Sequence, residues 1–366
     1  MSVKKRVILS VTNDLTTDQR LHKVCTSLMN SNFEVLLVGR KLRNSKKIKR
    51  LYKTKRMSLL FTSGPLFYAT YNLKLFFFLL FSRVDYIVSN DLDTLLASYY
   101  AAKLKGKALI YDSHELFTEV PELIDRPRVQ SLWLRIEQKI LPKVQYSYTV
   151  SQSIVDYYHF KYGVKMQLIR NFPTSIKEID VVKENYLIYQ GVLNVNRGLE
   201  ELISAMKYVE GYVLLIAGGG DVEEKLKKQV ANLQLKTKVK FLGRLPADQL
   251  IAYTKKAKLG FSLEKKKGLN YEYALPNKVF DYLNANVPVL YSDLKEVKAT
   301  LSGIEIGEEL KSYDPQLMAK QIMEILHSPK YEQWIENCKF ASSQFNWEGE
   351  EKKLIQLYKS ITTDKL

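Results

Sequence analysis

Short runs of aliphatic and β-branched residues alternate with helical patterns along almost the whole chain, and this alternation constrains the fold strongly. The predicted strands are Arg6–Thr12, Phe33–Gly39, Val84–Ser89, Lys107–Asp112, Tyr146–Val150, Met166–Ile169, Tyr186–Gln190, Tyr212–Ala217, Val239–Leu242, Leu259–Ser262, Val287–Tyr291 and Gly303–Ile306. The predicted helices are Asp18–Asn30, Leu92–Lys105, Val129–Lys143, Ser153–Tyr162, Leu199–Tyr208, Asp221–Leu235, Pro246–Ala257, Asn277–Ala285, Pro315–His327 and Gly349–Ile361. Apolar strands separated by helices are typical of parallel sheets covered on both faces. The sequence therefore predicts an α/β fold.

The chain is long enough for two such sheets. A single core rarely extends over 366 residues, and the alternation forms two blocks of similar size that meet near Asn171–Pro173. We predict an N-terminal domain at 1–172, a C-terminal domain at 173–345, and a C-terminal helix within 346–366 that packs back on the N-terminal domain. Both domains are expected to be doubly wound and Rossmann-like, with the ligand in the cleft that they face.

The chain carries a large positive charge that is concentrated in one segment. Its net charge is +17, and ten of the 17 residues from Arg40 to Arg56 are Lys or Arg. Such a surplus favours an anionic partner, either nucleic acid, a nucleotide or an acidic membrane surface. The apolar stretch Leu66–Phe81 is too short to span a bilayer by itself, so it indicates either a buried helix or interfacial attachment. We expect a cytoplasmic protein, either free or attached to the cytoplasmic face of the membrane, since no targeting segment is recognisable and Cys25 and Cys338 have no metal or disulfide spacing.

Several familiar chemistries are not predicted by the sequence. The turn after the first strand has no GxGxxG pattern, and the chain has neither a P-loop nor a GxSxG motif. The four histidines lack metal-ligand spacing. The pair Asp91 and Asp93 resembles a metal-binding DxD pattern, but Asp is also a common residue at the start of a helix, and we predict no metal site.

Three short motifs are candidates for function. The turn Gly218–Asp221 lies between a strand and a helix, where it could hold phosphate or simply require small residues. Arg197 precedes Gly198 at a similar place and is either a diphosphate ligand or a solvated surface residue. His114 comes directly after a buried strand, and Asp112 and Glu115 flank it in the sequence. This position permits either a structural or a catalytic role.

The order and spacing of these motifs resemble those of a known family. The segments that carry the resemblance are Asn90–Thr94, Tyr111–Glu119, Gln190–Leu199, Ile216–Gly220, Phe241–Gly243, Tyr273–Leu283 and Val287–Val289. Together they resemble the retaining GT-B glycosyltransferases of glycosyltransferase family four, over nearly the whole chain. The resemblance implies two Rossmann-like domains that bind a UDP- or GDP-linked sugar donor, with no cofactor besides this co-substrate, and an acceptor that is a glycan or is lipid-linked.

The resemblance also implies roles for individual residues. Arg197 would contact the donor diphosphate, and His114 would face the donor sugar and the acceptor. Lys278 would supply the positive charge that Val192 does not, and we expect all three residues to act in catalysis. Asp281 matches the second Glu of the family's Glu-x7-Glu element, which binds the ribose hydroxyls. The implied donor-binding residues are Gly191, Arg197, Gly219, Gly220, Lys278 and Asp281, and those on the acceptor or donor-sugar side are Asn13, Asp14, Asp91 and Glu115.

Two positions depart from the family pattern. Tyr273 stands where the first Glu of the element is expected, and Val192 stands where a basic residue usually follows Gly191.

The function predicted is retaining, metal-independent glycosyl transfer in cell-surface polysaccharide synthesis. The alternatives are a non-hydrolysing nucleotide-sugar epimerase, a nucleic-acid-binding protein, for which no basic-aromatic module is present, and an inactive relative.

Overall fold

The chain forms two compact units. The computed structural model describes residues 4–16, 18–43, 45–176 and 181–363, so residues 364–366 of the predicted segment 346–366 lie outside the described residues. The first unit comprises the described residues through Asn171 together with the chain from Glu350, and the second unit is Phe172–Gly349.

The first unit is a parallel sheet with helices between its strands. Its strands are β1 (Arg6–Ser10), β2 (Glu34–Lys41), β3 (Lys53–Ser58), β4 (Tyr86–Asn90), β5 (Ala108–Ser113), β6 (Tyr146–Thr149) and β7 (Gln167–Leu168). Its helices are α1 (Gln19–Asn30), α2 (Gly64–Phe81), α3 (Leu92–Lys105), α4 (Pro121–Ile124), α5 (Pro127–Ile140) and α6 (Gln152–Tyr162). The strand order is β3-β2-β1-β4-β5-β6-β7.

The second unit repeats this arrangement. Its strands are β8 (Tyr186–Gln190), β9 (Val213–Ala217), β10 (Val239–Gly243), β11 (Leu259–Ser262), β12 (Val289–Tyr291) and β13 (Gly307–Glu309), in the order β10-β9-β8-β11-β12-β13. Its helices are α7 (Leu199–Ala205), α8 (Glu223–Asn232), α9 (Ala247–Lys256), α10 (Leu269–Glu272), α11 (Asn277–Asn284), α12 (Lys295–Thr300), α13 (Pro315–Leu326) and α14 (Tyr331–Gln344). The last helix, α15 (Trp347–Thr363), begins in the second unit and belongs to the first unit from Glu350 onward.

Both sheets reverse their strand order at one place, and this place determines where a ligand can bind. The reversal lies between β1 and β4 in the first unit and between β8 and β11 in the second. The described strand pairs are all parallel, and central strands such as β8 are buried along their whole length because helices cover both faces. Ligands of doubly wound sheets bind outside the carboxyl ends of the strands at such reversals. The prediction of two doubly wound α/β domains is confirmed.

Some elements differ from the sequence prediction. No strand was predicted in the basic segment from Arg40 to Arg56, but its two ends lie in β2 and in the edge strand β3. The last strand of the second sheet is Gly307–Glu309 and not Gly303–Ile306. Helix α14 was not predicted, although Trp334, Cys338 and Ala341 are its buried residues and have helical spacing.

Candidate active site

In the first unit, His114 lies between two carboxylates at the carboxyl edge of the sheet. Asn90 at the end of β4 is paired with Asp112 of β5, which brings the following residues of both strands together. Asp91 accepts a hydrogen bond from the His114 backbone N–H at 2.8 Å, and its other oxygen is 3.1 Å from His114 Nδ1. The opposite ring nitrogen, Nε2, is 3.2 Å from an Asp112 oxygen. Both ring nitrogens of His114 therefore face carboxylates.

The charges of this cluster favour a protonated imidazole. Burial and the nearby Arg20 oppose protonation, but Asp91 and Asp112 outweigh them and raise the pKa of His114 to about 10. Burial would raise the pKa of Asp112, yet Arg20, which donates a hydrogen bond to it, and His114 hold that pKa below its ordinary value. The raised pKa thus favours the protonated ring, which has no lone pair for a base or a nucleophile.

The two aspartates of the DxD pattern do not converge on one point. Asp91 contacts His114, whereas Asp93 is buried and accepts a hydrogen bond from the Thr12 hydroxyl. Burial and the neighbouring Asp91 raise the pKa of Asp93 to about 7. Within the described ranges, no group of three or more His, Cys, Asp or Glu side chains is placed to hold a metal ion.

Of the residues implied for the acceptor side, Asp91 contacts His114, whereas Asn13 and Asp14 lie at the turn after β1. Asp14 accepts hydrogen bonds from Ser45 and from the backbone and hydroxyl of Thr16, and it lies 3.7 Å from Arg56. It therefore ties the turn after β1 to the basic segment. Asn13 is exposed beside it, and Glu115 is half-buried next to His114.

In the second unit, two glycine-containing turns pack against each other after β8 and β9. A Cβ added at Gly218 would lie 1.8 Å from the Gly191 carbonyl oxygen, and one added at Gly220 would lie 2.4 Å from the Leu193 carbonyl oxygen. The glycines at 218 and 220 are therefore required by the close approach of the two turns. Gly219 differs, because a Cβ there would meet only the ends of the Arg244 and Glu223 side chains.

Beside these turns, one buried carboxylate holds two cations. A single oxygen of Glu264 accepts hydrogen bonds from Lys278 Nζ at 2.6 Å and from Arg197 at 2.9 Å, and its other oxygen accepts one from the Ser262 hydroxyl at 2.7 Å. Burial would raise the pKa of Glu264, but Lys278 and Arg197 lower it to about 2. The cluster thus carries one net positive charge next to Gly191, whose added Cβ would lie 3.4 Å from Lys278 Cε.

The backbone at Gly198 fixes Arg197 in this cluster. Gly198 has φ +67, and a Cβ there would lie 2.6 Å from the carbonyl oxygen of Leu263, the residue before Glu264. The Arg197 guanidinium also lies 5.1 Å from the centroid of the Tyr271 ring. Only glycine allows so close a contact between the loops after β8 and β11.

Asp281 is oriented by a separate hydrogen-bonded chain. Gln190, the last residue of β8, donates to an Asp281 carboxylate oxygen at 3.1 Å and accepts from the Thr254 hydroxyl at 2.7 Å. Asp281 is half-buried and lies on α11 one turn after Lys278. This arrangement leaves the carboxylate at the same end of the sheet as the cations.

The first turns of α7 and α8 are acidic. Each carries two glutamates: Glu200 and Glu201 in α7, and Glu223 and Glu224 in α8. These carboxylates already stabilise the positive helix ends and would repel phosphate there. Positive charge beside the Gly191 turn therefore comes from the side chains of Arg197 and Lys278.

Three residues of these clusters were not predicted from the sequence. Glu264 comes shortly after a buried strand, and its sequence position alone does not indicate a polar site. Its role is visible only from its contacts with Arg197 and Lys278. Arg20 belongs to the amphipathic helix α1, where a charged residue normally indicates a solvated face. The exposed Arg244 directly follows the Phe241–Gly243 segment that carried part of the resemblance, and its Nε would lie 3.1 Å from a Cβ added at Gly219.

The structure brings together some of the predicted residues within each unit. His114 and Asp91 are in contact in the first unit, while Asn13 and Asp14 lie at the turn after β1. In the second unit, Gly191, Arg197 and Lys278 form one cluster, and Asp281 lies on the same helix as Lys278.

Comparisons with known structures agree with this fold. The sucrose-phosphate synthase of Thermosynechococcus elongatus has a TM-score of 0.81 at 17% identity, covering 99% of this chain and 100% of that one. HepE of Anabaena, in complex with UDP and glucose, has a TM-score of 0.74 at 13% identity, covering 97% and 100%. A candidate UDP-N-acetylglucosamine 2-epimerase of Listeria monocytogenes has a TM-score of 0.67 at 12% identity, covering 99% and 98%. At these identities the likeness concerns the fold.

Sequence comparison assigns each half of the chain to a family. No curated protein sequence matches the chain. Residues 19–176 match Glycosyltransferase Family 4, and residues 172–339 match Glycosyl transferases group 1. The two matches follow one another along the chain in the order that the sequence motifs predict. The chain therefore belongs to the glycosyltransferases, with a first domain of glycosyltransferase family 4 and a second domain of the glycosyl transferases group 1.

Proposed function

We propose that this glycosyltransferase moves a hexosyl group from a nucleoside-diphosphate sugar to a glycan or lipid-linked acceptor in cell-surface polysaccharide synthesis, with retention and without a metal ion. The observation that carries this proposal is the cluster of Arg197, Lys278 and Glu264 at the strand reversal of the second sheet. It combines a net positive charge with the exposed Gly191 turn, where a ligand can approach the backbone. Such a site suits a diphosphate.

The proposed mechanism stabilises the charge that grows on the leaving diphosphate. Arg197 and Lys278 supply positive charge that a divalent cation supplies in other transferases, and Glu264 holds both side chains in place before the donor arrives. Asp281, held by Gln190, would accept hydrogen bonds from the ribose hydroxyls. Because the solved structure of HepE holds UDP, we favour a uridine donor.

His114 would act on the sugar side as a fixed cation. Both of its ring N–H groups face carboxylates, so it cannot take a proton from the acceptor. In the retaining mechanism that the family resemblance implies, the leaving phosphate takes this proton, and His114 would contribute charge and position. As a cation, His114 itself would not serve as the base that an epimerase needs at the sugar.

The proposal is tested by nucleotide binding and by product analysis. We expect UDP to raise the melting temperature of the protein, and Asp281→Ala to weaken UDP binding by about 1.5–3 kcal/mol because hydrogen bonds to a charged group are lost. The matched control is Asp248→Ala, an exposed aspartate in the first turn of α9. Unchanged UDP affinity in folded Asp281→Ala would contradict the assignment.

Turnover of the UDP-sugar distinguishes the two enzyme classes. A transferase releases UDP and leaves the sugar on an acceptor, and we expect this reaction to persist in excess EDTA. An epimerised UDP-sugar without UDP release would favour the alternative, and loss of transfer on chelation, restored by manganese, would contradict metal independence.

A further inference from the structure

Helix α2 packs on its own domain along one face only. Phe67, Tyr71, Leu75 and Leu79 are its buried residues, spaced four apart. The Tyr71 hydroxyl donates to the Val11 carbonyl at 2.5 Å, next to the end of β1. The side-chain amide of Asn72 donates to a carbonyl of α3 at 2.8 Å. The inner face of α2 is therefore held firmly against the first unit.

The outer face of α2 is apolar and exposed. It carries Leu66, Leu73, Phe77 and Phe81, which are 57%, 59%, 48% and 81% exposed. These residues lie opposite the buried row when the helix is viewed along its axis, because a helix turns by about 100° per residue. A surface helix of a soluble domain normally presents polar residues there, but Lys74 is the one charged residue of α2. An apolar surface of this kind marks a partner.

Neighbouring segments extend this exposed apolar character. Leu60 and Phe61, just before α2, are exposed, and α3, which packs beside α2, exposes Tyr100 and Leu104. Helix α2 is longer than the predicted apolar stretch Leu66–Phe81, and in the described part of the chain it is the one helix long and apolar enough to cross a bilayer by length and composition. This corrects the expectation that the segment is too short to span a bilayer. Because its inner face is packed and hydrogen-bonded within the domain, α2 can lie on a membrane but cannot cross it in this fold.

The segments on either side of α2 are strongly basic, although Glu34 pairs with Lys53 and Asp14 pairs with Arg56. The sequence has 12 Lys or Arg residues from Arg40 to Arg83 and no Asp or Glu between them. Lys55 Nζ lies 4.1 Å from the centroid of the Phe78 ring, and Lys74 Nζ donates to the Ser58 carbonyl at the end of β3. Arg56 donates to the Lys46 carbonyl at 2.8 Å and so attaches the exposed basic segment to β3.

We propose that the outer face of α2, with the lysines of β3 and of the segment before it, is a docking surface for an anionic lipid bilayer. A basic border around an apolar helix face matches the two layers that such a surface offers, phosphate groups outside and acyl chains beneath them. A protein partner could cover the apolar face but would not by itself account for the large excess of Lys and Arg beside it. This binding is independent of the proposed transfer reaction.

Vesicle sedimentation of the full chain, without donor or acceptor, tests the proposal. We expect binding to phosphatidylglycerol-containing vesicles that weakens with salt, and much weaker binding to pure phosphatidylcholine. The variant Leu73→Ser, Phe77→Ser, Phe81→Ser should bind at least about tenfold more weakly, because it removes the exposed apolar groups while the buried row stays intact. The matched control changes one Leu and two Phe that are exposed elsewhere: Phe160→Ser, Leu317→Ser, Phe340→Ser.

A second pair of variants tests the charge. Replacing Lys46, Lys47 and Lys49 by Ser should weaken binding by about fivefold per lysine. The control replaces the exposed Lys228, Lys236 and Lys240 of the second unit by Ser, with the same change in net charge. Circular dichroism verifies that all variants are folded.

Three outcomes would overturn the proposal. The first is equal binding of either test variant and its control, and the second is equal binding of the parent to neutral and anionic vesicles. The third is a parent protein that does not bind vesicles and is a dimer in solution, while the α2 variant is a monomer. A second copy of the chain would then cover this face.

Discussion

Two buried carboxylates of this protein have opposite electrostatic surroundings. Glu264 faces Lys278 and Arg197, which lower its pKa to about 2. Asp93 is equally buried but lies near Asp91, and its pKa is raised to about 7. One of its oxygens accepts from Thr12, and the other has no hydrogen-bond partner in the described structure. The surroundings of Glu264 thus stabilise its ionised form, whereas ionised Asp93 destabilises the fold.

We predict that Asp93→Asn makes the protein more stable at high pH relative to the parent. The ordinary pKa of Asp93 is 3.8 and its folded value is about 7, so the folded parent binds a proton more tightly than the unfolded chain does. The stability of the parent therefore falls as the pH rises from about 4 to about 7, by about 4 kcal/mol at most. Asn does not ionise and avoids this loss.

Urea unfolding of both proteins at pH 4 and pH 8 measures the effect. Any constant cost of the buried amide cancels in the comparison, because it is the same at both pH values. The matched control is Asp248→Asn, which makes the same chemical change on the exposed surface. An Asp93→Asn difference that does not grow with pH would show that Asp93 is not destabilised by ionisation.

Residues of the site were predictable from the sequence where they stand in a short, recognisable motif. Gly191, Arg197, Lys278 and Asp281 stand in recognisable motifs, and the structure places the first three together. Glu264 was not predictable, because its importance comes from contacts with residues 67 positions before it and 14 positions after it. No local sequence pattern indicates a contact between residues so far apart in the chain.

At the scale of elements, strands with apolar residues were predicted well and those without them were not. The central strand β8 has the predicted bounds, Tyr186–Gln190. The edge strand β3 has the sequence Lys-Thr-Lys-Arg-Met-Ser, and β13 is Gly-Glu-Glu. Edge strands are half-solvated, so pairing with a neighbouring strand and not hydrophobicity defines them.

We predict that alanine at two adjacent glycines of the turn after β9 separates fold from binding. Gly220→Ala places a Cβ against the Leu193 backbone and should lower the free energy of unfolding by about 1–3 kcal/mol. Gly219→Ala meets only the flexible ends of Arg244 and Glu223, so its effect on stability should stay below about 1 kcal/mol. If the nucleotide approaches Gly219, the same variant should bind UDP about tenfold more weakly.

Thermal unfolding and UDP titration of both variants provide the measurements. Each of the two variants is the control for the other, because both replace a glycine by alanine at adjacent positions. Normal UDP affinity in Gly219→Ala would indicate that the nucleotide does not approach this turn. Unchanged stability in Gly220→Ala would mean that the two turns can separate without cost.

At the scale of the whole molecule, the first unit is completed by the end of the chain. Leu354, Leu357, Tyr358 and Ile361 of α15 are buried in it. The Tyr358 ring lies 5.9 Å from that of Phe33 and 6.5 Å from that of Tyr86, measured between centroids. Glu350 accepts a hydrogen bond from the Arg170 backbone at 3.0 Å. The core of the first unit therefore depends on residues nearly 200 positions away from the rest of it.

We predict that Tyr358→Ala destabilises the first unit while its neighbour Lys359→Ala does not. Truncating a fully buried aromatic side chain costs about 3–5 kcal/mol, whereas Lys359 is exposed and its removal should cost less than about 0.5 kcal/mol. Amide hydrogen exchange of β1 measures this, because its slowest amides report the opening of the sheet on which α15 packs. Exchange in β1 should accelerate by a factor of roughly 100 or more in Tyr358→Ala, while β8 of the second unit serves as the internal reference. Equal acceleration in both sheets would mean that the two units unfold together, and no acceleration in either would mean that the first unit is stable without α15.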